Sequence, residues 1–77
     1  MNEALRGCFS DVLRRPMPDF TEDLAFAEIP GWDSVVHLTL LLAVESRFGI
    51  AFSSAEMVSM KRVGDMTAVI KAHGGTP

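Results

Sequence analysis

Only one of the 77 residues is cysteine, Cys8. A lone thiol excludes an internal disulfide and cannot supply a zinc site unaided. Long apolar runs are missing too. Nothing approaches the roughly 18 apolar residues a membrane helix needs, and the opening MNEALRG lacks the basic-then-apolar pattern of a secretory signal. These absences point to the cytoplasm. Clustered base is also lacking: the seven Lys and Arg are scattered and the net charge is −3. Nucleic acid is therefore excluded as a partner, because neutralising phosphates takes grouped cations. Cys8, His37 and His73 stand too far apart for metal-ligand spacing. There is no repeat, no low-complexity segment and no convincing strand; Phe48 to Phe52 is short and has nothing to pair with.

What remains is ordinary for a small folded domain, 48% hydrophobic and 22% charged. A chain of this length buries a thin core. We expect one all-α domain over residues 1–73, a small four-helix bundle of three main helices and one short one, acting as a monomer. Gly74-Gly75-Thr76-Pro77 reads as a mobile tail.

Leu5, Cys8, Phe9, Val12 and Leu13 recur at three- and four-residue spacing, which predicts a first helix over Asn2 to Arg14, stopped by Pro16 and Pro18. A long connection follows, from Arg15 to Asp33. Loops of that length are functional or disordered, and Phe20, Leu24, Phe26, Ile29 and Trp32 punctuate this one like anchors. It reads as an ordered loop with one helical turn near Glu22 to Phe26 and a bend at Pro30-Gly31. The second helix runs from Ser34 to Phe48, capped by Asp33 or Ser34 and ended by Gly49. Ser53 and Glu56 have capping-box spacing, predicting a short third helix over Ser54 to Ser59. Val63, Met66, Val69 and Ile70 predict a last helix to His73, with a start that frays because Arg62 is a poor cap and Gly64 sits in the first turn.

Two features go beyond a plain bundle. Asp19, Glu22, Asp23, Glu28 and Asp33 form an acidic stretch with no base between them, either a solvated loop or a patch that steers basic partners. The second helix carries two apolar arcs. Leu40, Leu41, Val44 and Phe48 form one; Val35, Leu38 and Leu42 form another. A helix at the edge of a bundle needs one stripe. The second arc is either covered by the loop and neighbouring helices or left open as a docking face.

Asp33, Ser34 and His37 invite comparison with a catalytic triad, but a triad draws its members from separated positions so that acid, base and hydroxyl line up. Here the three lie within five residues, and no Gly-x-Ser-x-Gly elbow is present. His37 reads as a helix-flank residue beside Leu40 and Leu41, and His73 as a dipole contact at a helix end. Ser34 is either a helix-opening serine or an attachment point, where a phosphodiester would sit at the positive end of the greasiest helix.

Gly31-Trp32-Asp33-Ser34-Val35-Val36-His37-Leu38 resembles the phosphopantetheine attachment site of acyl carrier proteins, whose core is Asp-Ser-Leu at the start of the second helix. The likeness continues through the long loop, the segment Glu45 to Ile50, the short third helix and the amphipathic last helix. The Trp-Asp-Ser form with a Phe-Gly-Ile ending is similar to stand-alone carriers of specialised pathways. The resemblance implies that a phosphopantetheinyl transferase, using coenzyme A and Mg²⁺, attaches a 4′-phosphopantetheine arm to Ser34. Acyl groups then ride on the arm as thioesters, presented to acyl-loading and acyl-processing enzymes by a chain that catalyses nothing. It also implies that Asp33, Val35, Leu38 and Leu42 meet those partners, with Glu45, Glu56 and Met57 near the rim. The sequence departs from the family pattern with Val35 in place of leucine, and with Val36, Thr39, Ser46 and Arg47 where carboxylates are frequent. That implies a dedicated partner set and a more apolar interface. A peptidyl or aminoacyl carrier shares the arm but usually shows Gly-Gly before His-Ser or Asp-Ser. An unmodified helical docking module would use the apolar strip alone.

Overall fold

The helical spacing of Leu5, Cys8 and Phe9 turns all three inward, and α1 (Glu3–Leu13) buries them while Val12 and Leu13 pack at the edge of the core. The computed structural model describes residues 2–77. The helix ends before either proline. Arg14 takes a left-handed conformation (φ 56°), its amide and that of Arg15 both bonding the Ser10 carbonyl, so the αL cap and not Pro16 is the stop.

The long loop is ordered by anchoring. Phe26 and Ile29 are buried, and Phe20, Leu24 and Trp32 pack against the core. Its helical turn is a 3₁₀ turn at Phe26–Glu28, not the turn at Glu22 to Phe26 read from the sequence. Residues 22–26 are drawn out instead to bond the residues opening the last helix. Phe26 N–H donates to the Lys61 carbonyl, and Val63 N–H to that of Leu24, each at 2.9 Å, forming an antiparallel Ala25–Arg62 bridge.

Next come α2 (Ser34–Phe48), α3 (Ser54–Ser59) and α4 (Val63–Ala72). α2 buries Leu40, Leu41 and Val44 and closes on Gly49 in the left-handed region (φ 66°), a position suited to glycine. α3 starts on a reciprocal box: Ser53 Oγ accepts from Glu56 N–H, and a Glu56 carboxylate oxygen accepts from Ser53 N–H at 2.9 Å. α4 does not fray at its start. Asp65 accepts from the amides of Lys61 and Arg62 at 2.8 and 3.0 Å, and Gly64 N–H donates to the Glu22 carbonyl. Gly64 is what lets the loop approach, since a Cβ there would stand 3.1 Å from the Glu22 carbonyl oxygen. Buried Thr67 seals the junction, its hydroxyl 2.9 Å from both Glu22 Oε1 and the Gly64 carbonyl. Residues 74–77, read as a mobile tail, hydrogen-bond back to the bundle: Gly75 N–H to the Ile70 carbonyl, and the Pro77 carbonyl to the amides of Ala4 and Leu5.

Four helices around one core, without a strand among the described residues, make the all-α bundle the periodicity predicts. No described helix is long and apolar enough to cross a membrane.

Candidate functional site

Gly31 stands at φ 82°, which a side chain would strain, and Arg15 reaches across to donate to the Pro30 carbonyl at 2.6 Å. This fixed turn delivers Trp32 onto the core. Its indole stacks on Phe26 at 5.1 Å and lies 6.0 Å from Phe9. The chain is extended at Asp33 and enters α2 at Ser34, which is exposed. Asp33 is the cap: its carboxylate accepts from Val36 N–H at 2.8 Å. The Ser34 hydroxyl is left out of the capping, so the choice the sequence left open between Asp33 and Ser34 falls to Asp33. Asp33→Ala should therefore cost about 1 kcal/mol, the usual value of an N-cap, readable by urea unfolding.

The three neighbours form no triad. Asp33 faces its own helix amides, and His37 Nε2 points to the Met57 carbonyl, 3.4 Å away. One turn before Leu40 and Leu41 on α2, His37 is half-buried, as expected of a helix-flank residue, and it gains aromatic neighbours as well. Its ring meets the Trp32 indole edge-on at 5.7 Å and Phe26 at the same distance.

Ser34 opens onto a shallow pocket of about 270 Å³ lined by Trp32, Asp33 and His37. Trp32 and His37 also line a larger groove of about 530 Å³, walled by Phe26, Met57, Val58 and Met60. An accessible hydroxyl at a helix N-terminus beside an apolar groove fits a phosphodiester-linked, flexible arm. An anion at such a helix end would gain about 0.3–1 kcal/mol.

The second arc of α2 is open: Val35, Leu38 and Leu42 are 72%, 53% and 56% exposed. Val58 on α3 is a further exposed large apolar residue, at 74%. Sequence reasoning missed it because a six-residue helix shows too little periodicity to reveal its outward face. The predicted rim residues are engaged internally. Glu45 accepts from Phe52 N–H at 2.7 Å, and Met57 is half-buried in the groove wall. Glu56 caps α3 and pairs with His73, so His73 makes a specific contact to a side chain. Ser53's amide, then the His73 hydrogen bond, hold the Glu56 carboxyl below its ordinary 4.5. A depressed folded pKa stabilises above the unfolded value and is lost as pH falls through the folded one. The stability gap between wild type and Glu56→Gln, from urea unfolding across a pH series, should be full above about pH 5 and close in more acidic solution.

A hydroxyl exposed at the head of α2, with a capping aspartate before it and an apolar groove behind, is an arrangement that a carrier of a covalently tethered group could use. The comparisons agree. The family model for the phosphopantetheine attachment site matches residues 3–70, and the chain belongs to that family. An acyl carrier protein MbtL of Mycolicibacterium paratuberculosis is 32% identical over 69 residues, 90% of this chain and 78% of the relative. The acyl carrier protein of Rickettsia bellii is 30% identical, over 83% of this chain and 79% of its own. The solution structure of the holo acyl carrier protein from Geobacter metallireducens superposes with a TM-score of 0.84 at 27% identity, covering 94% of this chain and 85% of that one. The protein is an acyl carrier whose prosthetic group is 4′-phosphopantetheine; proteins of this family in general serve partner enzymes and catalyse nothing themselves.

Proposed function

We propose that Ser34 is the attachment residue, modified by a phosphopantetheinyl transferase with coenzyme A and Mg²⁺, and that the loaded chain serves the acyl-loading and acyl-processing enzymes of a specialised pathway. The observation that carries this is the exposed, uncommitted Ser34 hydroxyl at the start of α2. When bound, the arm supplies a terminal thiol that holds the acyl group as a thioester. The chain's own residues present it: Asp33 fixes the helix start, the Pro30-Gly31 turn holds Ser34 outward, and Trp32 and His37 shape the floor beneath it. Residues 1–73 are the carrier domain, working as a non-catalytic monomer in the cytoplasm, where Cys8 stays reduced.

Partners dock on Val35, Leu38 and Leu42, extended by Val58, with Asp33, Glu45, Glu56 and Met57 nearby. The carboxylates of Asp33, Glu45 and Glu56 already serve amides of their own chain, which favours an apolar over a charge-led interface and hence a dedicated partner set. An aminoacyl or peptidyl carrier is disfavoured by Gly31-Trp32 where those carry paired glycines.

Incubation with a broad-specificity transferase and coenzyme A should add one phosphopantetheinyl group by intact mass spectrometry. No addition, under conditions that load a control carrier, removes the reading. Leu42→Asp should lower kcat/KM for that transfer about tenfold, as a central interface position does, with an unchanged melting curve because the position is exposed.

A further inference from the structure

The groove beside Ser34 is charged with one sign only. The chain carries ten acidic residues against seven basic ones, yet no carboxylate lines the groove, whereas Lys61 and Arg62 both do. The rest of the lining is apolar or aromatic, chiefly Phe26, Trp32, Met57 and Met60, with His37 on the side shared with the Ser34 pocket. The fold sets the two cations in place. They lie between buried Met60 and Val63, Phe26 N–H donates to the Lys61 carbonyl, and Arg62 pairs with Ala25 in the antiparallel bridge. Asp65 turns its carboxylate to the Lys61 and Arg62 amides and stays outside the groove lining. Arg62 donates one N–H to the Asp23 carbonyl at 2.6 Å, which fixes the guanidinium and leaves its other donors open. Among the described residues, nothing pairs with the Lys61 ammonium.

Two cations at the edge of an otherwise apolar groove are suited to an anion, which they would orient while the apolar surface holds the rest of the ligand. The arm does not bring that anion to them. On the carrier reading its phosphodiester sits at Ser34, in a pocket lined by Trp32, Asp33 and His37 and by neither cation, and its pantetheine portion is uncharged. We propose that the cargo brings it: this carrier takes acyl groups that end in a carboxylate, with Lys61 and Arg62 as the residues that determine the preference. The chain of such a cargo lies on Phe26, Trp32 and Met60, and its carboxylate meets the two cations. A plain alkyl chain finds the same apolar floor but leaves the cations without a partner. An ammonium is repelled, and specificity gains from that repulsion as much as from the attraction. The same repulsion disfavours an aminoacyl cargo, on grounds separate from the Gly31-Trp32 pattern.

This deepens the carrier reading and rests on it for the arm that delivers the cargo. It is tested on the unmodified chain with soluble probes, so its failure leaves the Ser34 modification result untouched. The probes are amide-linked pantetheine analogues ending in a glutaryl, a valeryl or a 4-aminobutyryl group, matched in length and differing in charge. Fluorescence of Trp32, the sole tryptophan, and the amide shifts of Met60 and Lys61 follow each titration. At low salt the glutaryl probe should bind about two- to fivefold more tightly than the valeryl probe, the range an exposed ion pair supplies, and the 4-aminobutyryl probe more weakly than either. In about 1 M salt, where the screening length shrinks to about 3 Å, the three should converge. Lys61→Arg should keep the order, Lys61→Gln should narrow the gap, and Lys61→Glu should reverse it. Residue 61 is exposed, so these variants should melt as the wild type does. The proposal is overturned if the three probes bind alike at low salt, if none gives a saturable change, or if Lys61→Glu keeps the full glutaryl preference.

Discussion

Ser34→Ala should abolish addition of the phosphopantetheinyl group while leaving the fold intact. The two halves of that expectation come from the same geometry. The hydroxyl is exposed and stands outside the capping hydrogen bond, which runs from Val36 N–H to Asp33. Removing it takes away the only nucleophile at the helix head, so modification falls to zero and not by a factor. It removes no cap and leaves no buried group unpaired, so stability should change by less than about 0.5 kcal/mol, as for ordinary surface substitutions. Intact mass spectrometry reads the first outcome and urea unfolding the second. A variant that still gains the group would move the attachment elsewhere. One that unfolds would show the hydroxyl to be structural.

Phe9→Ala should have the largest effect on the fold. Phe9 is fully buried, with Phe20 edge-on at 4.8 Å and Phe26 and Trp32 at 5.8 and 6.0 Å. Truncating a buried phenylalanine costs about 3–5 kcal/mol, comparable with the whole stability of a small domain, about 5 kcal/mol at the low end. The variant should therefore be largely unfolded at 25 °C, with near-ultraviolet circular dichroism lost. Modification of Ser34 should fall with it, because Trp32 rests on Phe9 and sets the turn that presents the serine. Phe9→Leu, which keeps most of the volume, should recover both. A Phe9→Ala protein that melts cooperatively near the wild-type temperature would deny Phe9 this central place.

The helices were legible because each announces itself locally. The limits of α3 follow from the Ser53–Glu56 box, and those of α2 from Asp33 and Gly49. What the sequence could not disclose depends on distant partners. Gly64 suggested a frayed α4 only because its benefit, room for the Glu22 carbonyl, lies 42 positions away in the chain. The same pairing displaced the predicted turn at Glu22 to Phe26, since the Phe26 amide and the Glu22 and Leu24 carbonyls, bonded to residues 61–64, are unavailable for a local helix. At the site, Ser34 and the exposed arc of Val35, Leu38 and Leu42 could be read from pattern. The surroundings of His37 and the Glu56–His73 contact could not, because both join elements whose packing angle no local motif encodes.

The pairing of Leu24 and Phe26 with Lys61 and Val63 also carries a consequence in time. Until the head of α4 arrives, the Phe26 amide and the Glu22 and Leu24 carbonyls lack the partners they have in the finished fold. Closing so long a segment carries an entropy cost that local helices do not face. That pairing should therefore form after the local helices, whereas the Pro30-Gly31 turn, held by Arg15 and by Trp32 N–H on the Ile29 carbonyl, does not depend on it.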